Sequence, residues 1–408
     1  MFIIRLLSMR RRGRRAAKGD TNSMSDERIS VLIANPSPDV YGSDLQMLES
    51  ISAMTAQGWR VVVALPSDGE LVPRIRARGG EVHFFSFPVL RRANQSAAAF
   101  AGMVGSAALA VPRLVGLIRR LKPSLVYVNT VTLPWWLLAA RLTGTPTVCH
   151  LHEAENTDSP VVRRALVAPL RLAHAVIVIS RSAMAAMVEA DPGLEARGRL
   201  IYNGVPTPPE EPSPPARDLP LRAVVVGRLS PRKAPHLALE AVGRLRQQGV
   251  ALEVELAGSA FPGYEWYVEQ LEQRAAQEDL AGAVTFSGYC SPIWPALERA
   301  DLAIAPSLRE PFGNAVVEAQ MSLRPVVATA ALGHLESITD EQTGLLVPAE
   351  DVDAMADAVR RLVEDAELAG SLAAAARANA LARFTTGRYN AEVVGLVREL
   401  TGTVEVAP

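Results

Sequence analysis

The chain is short of several things, and each shortage removes a class of protein. It has two cysteines, Cys149 and Cys290, so no disulfide scaffold can form and a reducing compartment is expected. No apolar run reaches the roughly 20 residues that span a bilayer. The longest candidate, Ala97–Ile118, is interrupted by Pro112 and Arg113. There is no short repeat, and 49% of residues are hydrophobic, which excludes a disordered chain or a low-complexity filament. Three signatures are also missing: GxGxxG, GxxxxGK[ST] and G-x-S-x-G. Their absence argues against a nicotinamide or flavin fold, a P-loop and a serine-hydrolase elbow. The expectation is a globular, cytoplasmic protein.

What is there suggests two or three domains over 408 residues. The net charge of -1 hides an asymmetry. Residues 1–23 carry seven basic residues and one acidic, residues 24–200 carry 18 and 14, and residues 201–408 carry 17 and 28. A basic first half and an acidic second half imply different partners at the two ends, and nucleic acid is not among them. Residues 1–23 are too short in apolar sequence for a secretory segment, and their arginines follow it instead of preceding it. They read as a disordered basic leader, or as sequence upstream of a start at Met24, with a membrane-surface arm as the other reading.

From Ile29 short β-branched runs alternate with amphipathic stretches. Strands are expected at Ser30–Asn35, Arg60–Leu65, Glu81–Phe87, Leu125–Asn129, Thr145–Leu151, Ala175–Ile179 and Arg199–Asn203. Pro206–Pro220 holds seven prolines in fifteen residues, which suits a semi-rigid linker and no sheet. The alternation restarts at Leu221–Gly227 and continues through Leu252–Ala257, Val284–Ser287, Leu302–Pro306, Pro325–Thr329 and Gly344–Val347. The expected architecture is α/β: two Rossmann-like doubly wound parallel-sheet domains facing each other across a cleft, where ligands bind at strand carboxyl ends. The domains are placed at 24–205 and 221–384, with a C-terminal helix and tail over 385–408.

Four groups of residues could carry chemistry. Glu310-Pro-Phe-Gly-Asn-Ala-Val-Val-Glu318 follows a strand and opens a helix, for which Asn314 is the expected N-cap. Amides around Gly313 would meet an anion or sugar oxygens at the positive helix end, and the two carboxylates would accept from hydroxyls. Gly227-Arg228-Leu229-Ser230-Pro231-Arg232-Lys233 places Arg228 and Lys233 in a strand-to-helix loop, where they could converge on a diphosphate. Tyr41-Gly42-Ser43-Asp44 puts Gly42 at the first such turn of the chain. Cys149-His150-Leu151-His152-Glu153 ends a strand. No other His or Cys has ligand spacing, so no metal is expected, and His152 is the cleft-lining candidate.

With these residues in place, the chain resembles the retaining glycosyltransferases of family 4, which have the GT-B fold. The resemblance runs from about Ile29 to Phe384. It is carried by Glu310 through Glu318, by Gly227 through Lys233, by Asn203-Gly204 in IYNGV, and by PVVAT and TGLLVP in order. It implies a nucleotide-diphosphate sugar held by the second domain, and an acceptor that is a carbohydrate or lipid-linked hydroxyl on the side of the first. By position, Arg228 and Lys233 would bind the diphosphate and Glu318 the ribose. Glu310, with the backbone of Phe312 and Gly313, would hold the sugar. His152 matches the family's cleft histidine, and Gly42, Asn203, Gly227 and Asn314 fall among its donor-binding positions. It implies no metal and no cofactor. Where the family commonly has Gly-Gly, this chain has Tyr41-Gly42 and Leu332-Gly333. The pathway implied is cell-surface polysaccharide or glycolipid synthesis. Two other readings remain open on this architecture: a catalytically silent sugar-nucleotide or glycan-binding protein, and a sugar-nucleotide epimerase. Phe100–Lys122 interleaves apolar residues with Arg113, Arg119, Arg120 and Lys122, so it is the segment expected on an anionic inner membrane face.

Overall fold

A computed structural model of the chain describes residues 29–40, 42–90, 97–152, 160–261 and 263–402. The basic leader, Tyr41 and Glu153 lie outside the described residues. The first seven strands are β1 Ser30–Ala34, β2 Arg60–Leu65, β3 Glu81–Phe84, β4 Leu125–Val128, β5 Thr147–Leu151, β6 Ala175–Val178 and β7 Gly198–Leu200. They form one sheet in the order β3-β2-β1-β4-β5-β6-β7. The next six are β8 Leu221–Val226, β9 Leu252–Ala257, β10 Val284–Gly288, β11 Leu302–Ala305, β12 Val326–Thr329 and β13 Leu345–Val347. They form a second sheet in the order β10-β9-β8-β11-β12-β13. The described pairings in both are parallel. Tertiary packing divides the chain into two compact units, residues 1–149 with 172–174 and 393–408, and residues 150–171 with 175–392.

Strand order reverses at the first strand of each sheet, between β1 and β4 and between β8 and β11. Loops leaving the carboxyl ends of such neighbours diverge to opposite faces and open a crevice, so the loops after β8 and β11 are the place to look for a ligand in the second sheet.

Continuous apolar strands follow from burial on both faces. In β8, Leu221, Ala223 and Val225 belong to one core with the helices Pro235–Gln247 and Val352–Glu364. Val224 points the other way, into a core with the helices Trp294–Arg299 and Asn314–Met321. With helices on each side both faces of the strand are apolar, and Arg222 near its start is the one polar residue of β8.

Two expected strands end three residues early. β3 stops at Phe84 and not Phe87, whose buried ring instead packs edge-on against Trp136 at 5.4 Å. β7 ends at Leu200, whereas Asn203 was the expected end. Ile201 and Tyr202 are apolar for a different reason: Ile201 is buried, and the Tyr202 ring meets Phe312 at 6.0 Å and Phe384 at 5.4 Å.

The helix Ala97–Leu121 corrects part of the membrane expectation. Leu114, Leu117 and Ile118 are buried in the core, so their apolar stripe is unavailable to a lipid surface. Arg113, Arg119, Arg120 and Lys122 remain exposed. The side chains of Phe100 and Met103 lie outside the described residues. Among the described residues no helix is long and apolar enough to cross a membrane.

Candidate functional site

The loops after β8 and β11 are stitched together. Leu308 N donates to Arg232 O at 2.9 Å, and Arg232 Nη1 donates to Arg309 O at 3.1 Å. Lys233 Nζ then donates to Glu310 Oε2. A pocket opens over this seam, lined among others by Gly227, Arg228, Lys233, Glu310, Gly313 and His334. The Lys233 and Glu310 side chains are 20% and 11% exposed. Such a pair stabilises a fold little, because losing water costs each ion nearly what the attraction returns, so its presence in a pocket points to use. Burial pushes the Glu310 carboxyl up, but the charge and hydrogen bond of Lys233, with the charge of Arg232, outweigh it and hold the pKa below the usual range.

The helix Asn314–Met321 starts with Gly313 as its N-cap, at φ 97. That left-handed backbone is open to glycine and strained for other residues. The expected cap, Asn314, is instead the first helical residue, and its Oδ1 accepts from Asn203 Nδ2 at 3.0 Å. The structure thus brings Asn203, Asn314 and Gly313 together, with the buried Asn203 Oδ1 unsatisfied. Phe312 contributes only backbone to this region, since its side chain is buried against Phe384 at 5.4 Å. Glu318 follows one turn inside the helix, half-buried; burial pushes its pKa up to about 7, against the pull of Lys233.

Arg228 lies with its guanidinium carbon 3.8 Å from the centre of the Phe261 ring, a cation–π contact that holds the charged end over the ring. The sequence did not single out Phe261. Nor did it single out His334, which is 1% exposed and lines the pocket beside Gly313. Its neighbour Leu332 takes a positive φ of 45 where glycine would rest more easily. Gly333 is packed so closely that an added Cβ would lie 2.4 Å from Phe312 Cα, while its N–H donates to Glu310 O at 2.8 Å. The loop Ala331–Glu336 is thereby clamped onto the Glu310–Gly313 turn.

Six expected residues fall outside the pocket lining: Asn203, Phe312, Asn314 and Glu318, placed above, and His152 and Gly42. His152 sits beside the fully buried His150, ring centres 3.9 Å apart, and His150 stacks on Tyr389 at 6.4 Å. Burial lowers the His152 pKa to about 3, so the ring is neutral at any ordinary pH. Among the described residues no three His, Cys, Asp or Glu side chains converge on a common point. Gly42 opens the helix Gly42–Thr55 on the first sheet and is exposed. At the switch point of that sheet the structure shows a buried polar chain that sequence reasoning missed: Asn129 Nδ2 donates to Asn35 Oδ1, and Asn35 Nδ2 to Asp44 Oδ1, both at 2.8 Å. Its only sequence signal is a polar residue directly after each apolar strand.

Comparison with known proteins matches both halves of the chain. Residues 42–208 match the family described as Glycosyltransferase Family 4, and residues 210–379 match Glycosyl transferases group 1. The D-inositol 3-phosphate glycosyltransferase of Salinispora arenicola is 36% identical over 172 residues, 40% of this chain and 38% of that protein. The glycogen synthase of Mycobacterium tuberculosis is 32% identical over 160 residues, 39% of this chain and 37% of that protein. The putative glycosyltransferase EpsD of Bacillus subtilis is 32% identical over 159 residues, 39% of this chain and 40% of that protein. The matched stretch therefore spans less than half the length of these relatives. Among solved structures, Anabaena Alr3699/HepE in complex with UDP and glucose superposes with a TM-score of 0.76 at 24% identity, covering 91% of this chain and all of that one. Sucrose-phosphate synthase from Thermosynechococcus elongatus gives 0.75 at 20% identity, covering 92% of this chain and all of that one.

Proposed function

The chain belongs to the glycosyltransferases of the GT-B fold, and from that premise we propose that it transfers a sugar from a nucleotide-diphosphate sugar to a hydroxyl of a carbohydrate or lipid-linked acceptor. The anomeric configuration is retained. The reading places it in cell-surface polysaccharide or glycolipid synthesis, at the inner face of a membrane, with no metal or cofactor.

One observation carries the reading: Lys233, Arg228 and Glu310 meet in a single pocket where β8 and β11 diverge. Arg228, held over Phe261, and Lys233 would stabilise the charge that grows on the leaving diphosphate as the glycosidic bond breaks. Glu310 gives up its bond to Lys233 to accept from sugar hydroxyls, so donor binding exchanges one partner of the lysine for another and leaves no charge stranded. Glu318 accepts from the ribose. The amides at the start of the helix Asn314–Met321 add positive potential beside the reacting sugar. A solved fold neighbour binds UDP-glucose, which supports a sugar nucleotide as the donor here.

The test measures nucleoside diphosphate release from a panel of sugar nucleotides, with and without polysaccharide or lipid-linked acceptors. Release that depends on acceptor supports transfer. Interconversion of the sugar without release would make the protein an epimerase, and tight binding without turnover would make it a silent binding protein.

A further inference from the structure

His334 is held on one side and offers a single atom on the other. Its Nδ1 lies 2.9 Å from the carbonyl oxygen of Thr329, at the end of β12. A carbonyl can only accept, so Nδ1 carries the proton. Burial lowers the ring's pKa, against an opposing pull from Glu310, so the ring is neutral and Nε2 is a bare acceptor. The Cδ2–Nε2 edge of the ring faces Gly313. A methyl group built on Gly313 would sit 2.9 Å from His334 Cδ2, 3.5 Å from His334 Nε2 and 3.5 Å from Glu310 Cγ, so the glycine keeps this edge of the ring uncovered. Among the described residues no group hydrogen-bonds Nε2.

We propose that His334 is a specificity-determining residue, whose Nε2 accepts a hydrogen bond from a hydroxyl of the donor's sugar ring. The inference rests on the sugar-nucleotide reading above and names which part of the donor this residue reads. A lone pair repels phosphate oxygens, which carry no proton at neutral pH, so the diphosphate is assigned to Arg228 and Lys233 instead. Sugar hydroxyls do carry a proton, and the glycine at 313 leaves room for a ring to reach both Glu310 and Nε2. Two acceptors on one wall reject a sugar lacking the matching hydroxyl, because a buried acceptor would be left unpaired.

Truncation to alanine would open a hole beside Gly313, so the informative variant is His334→Asn. Its amide N–H can keep the bond to the Thr329 carbonyl while nothing replaces Nε2. His334→Gln, whose amide reaches to the Nε2 position, is the partner variant. Calorimetric titration uses UDP, GDP, UDP-glucose and GDP-mannose as probes. The expected result is that His334→Asn weakens the sugar nucleotide about tenfold, the scale of one lost hydrogen bond to a buried acceptor, and leaves its nucleoside diphosphate unchanged. His334→Gln should recover part of that loss. Equal weakening of nucleotide and sugar nucleotide, or wild-type affinity for both in His334→Asn, overturns the inference and leaves the functional reading intact. A wild-type protein that binds none of the four probes overturns both.

Discussion

Lys233 and Glu310 stand 77 residues apart in the chain and form a buried ion pair that joins the loop after β8 to the loop after β11. Each holds the other's charge in a place where neither would be stable alone, and each is a group the proposed donor would engage.

Removing the lysine should therefore damage chemistry and fold together. Lys233→Ala is expected to lower kcat/KM at subsaturating donor by at least about 2 kcal/mol, the scale of one charged donor to a leaving group. It also strands the Glu310 carboxylate, so its melting temperature should fall. Adding Glu310→Gln should restore the melting temperature and not the rate. Initial rates and thermal melts of the two variants separate these effects.

The two carboxylates of the turn and helix should respond oppositely to pH. Glu310 is held below its ordinary range, so its contribution to stability is present above the unfolded pKa and is lost in acid as it protonates. Glu318 is raised from 4.5 to about 7 by burial, so ionising it opposes folding, and stability falls as pH rises through that window. Glu318→Gln should gain about 2.5 kcal/mol on wild type between pH 5 and pH 8 in denaturant titrations. Because a ribose diol donates to the ionised form, nucleoside diphosphate affinity should weaken below pH 7 in wild type and stay flat in the variant.

His152 is not among the groups assigned to the diphosphate or the ribose, so its loss should spare nucleotide binding. His152→Ala is expected to cut turnover about tenfold, the scale of one hydrogen bond lost from a neutral imidazole, with the nucleoside diphosphate affinity unchanged. Since burial lowers its pKa to about 3, no limb of the pH–rate profile between pH 5 and 8 should disappear with it. A loss of nucleotide affinity by calorimetry would place the residue in the donor site instead.

Leu114, Leu117 and Ile118 of the helix Ala97–Leu121 are buried, so among the described residues its exposed cations and Leu109 remain to meet a membrane. Each cation near an anionic leaflet contributes about 1 kcal/mol, and salt screens it. Co-sedimentation with anionic vesicles should therefore be lost on changing Arg113, Arg119 and Arg120 together to Ser, and lost in wild type at high salt. Binding that persists in both conditions would mean another segment holds the surface.

The strands of the second sheet were legible for two reasons: both faces of β8 are covered, which leaves an apolar run after Arg222, and β9 alternates Leu252, Val254 and Leu256 with Glu253 and Glu255. The pocket's charged members were legible because Arg228, Lys233, Glu310 and Glu318 are polar residues placed where apolar strands end. The rest depended on contacts the sequence does not display. Asn314 was expected to cap its helix, but Gly313 takes the left-handed backbone first and frees the asparagine for Asn203. Ile201 and Tyr202 resemble strand sequence and are instead held by packing in the core and against Phe312 and Phe384. His334 reaches the pocket only because Gly333 lets its loop close on Phe312, a contact between residues 21 positions apart with no shared motif.

The central claim is that the loops after β8 and β11 cradle the diphosphate of a sugar nucleotide. Calorimetric titration of UDP and GDP into wild type, Arg228→Ala and Lys233→Ala tests it most directly. The account predicts saturable binding of at least one nucleotide by wild type, and at least tenfold weaker binding by each variant. Wild-type affinity in both variants would contradict it.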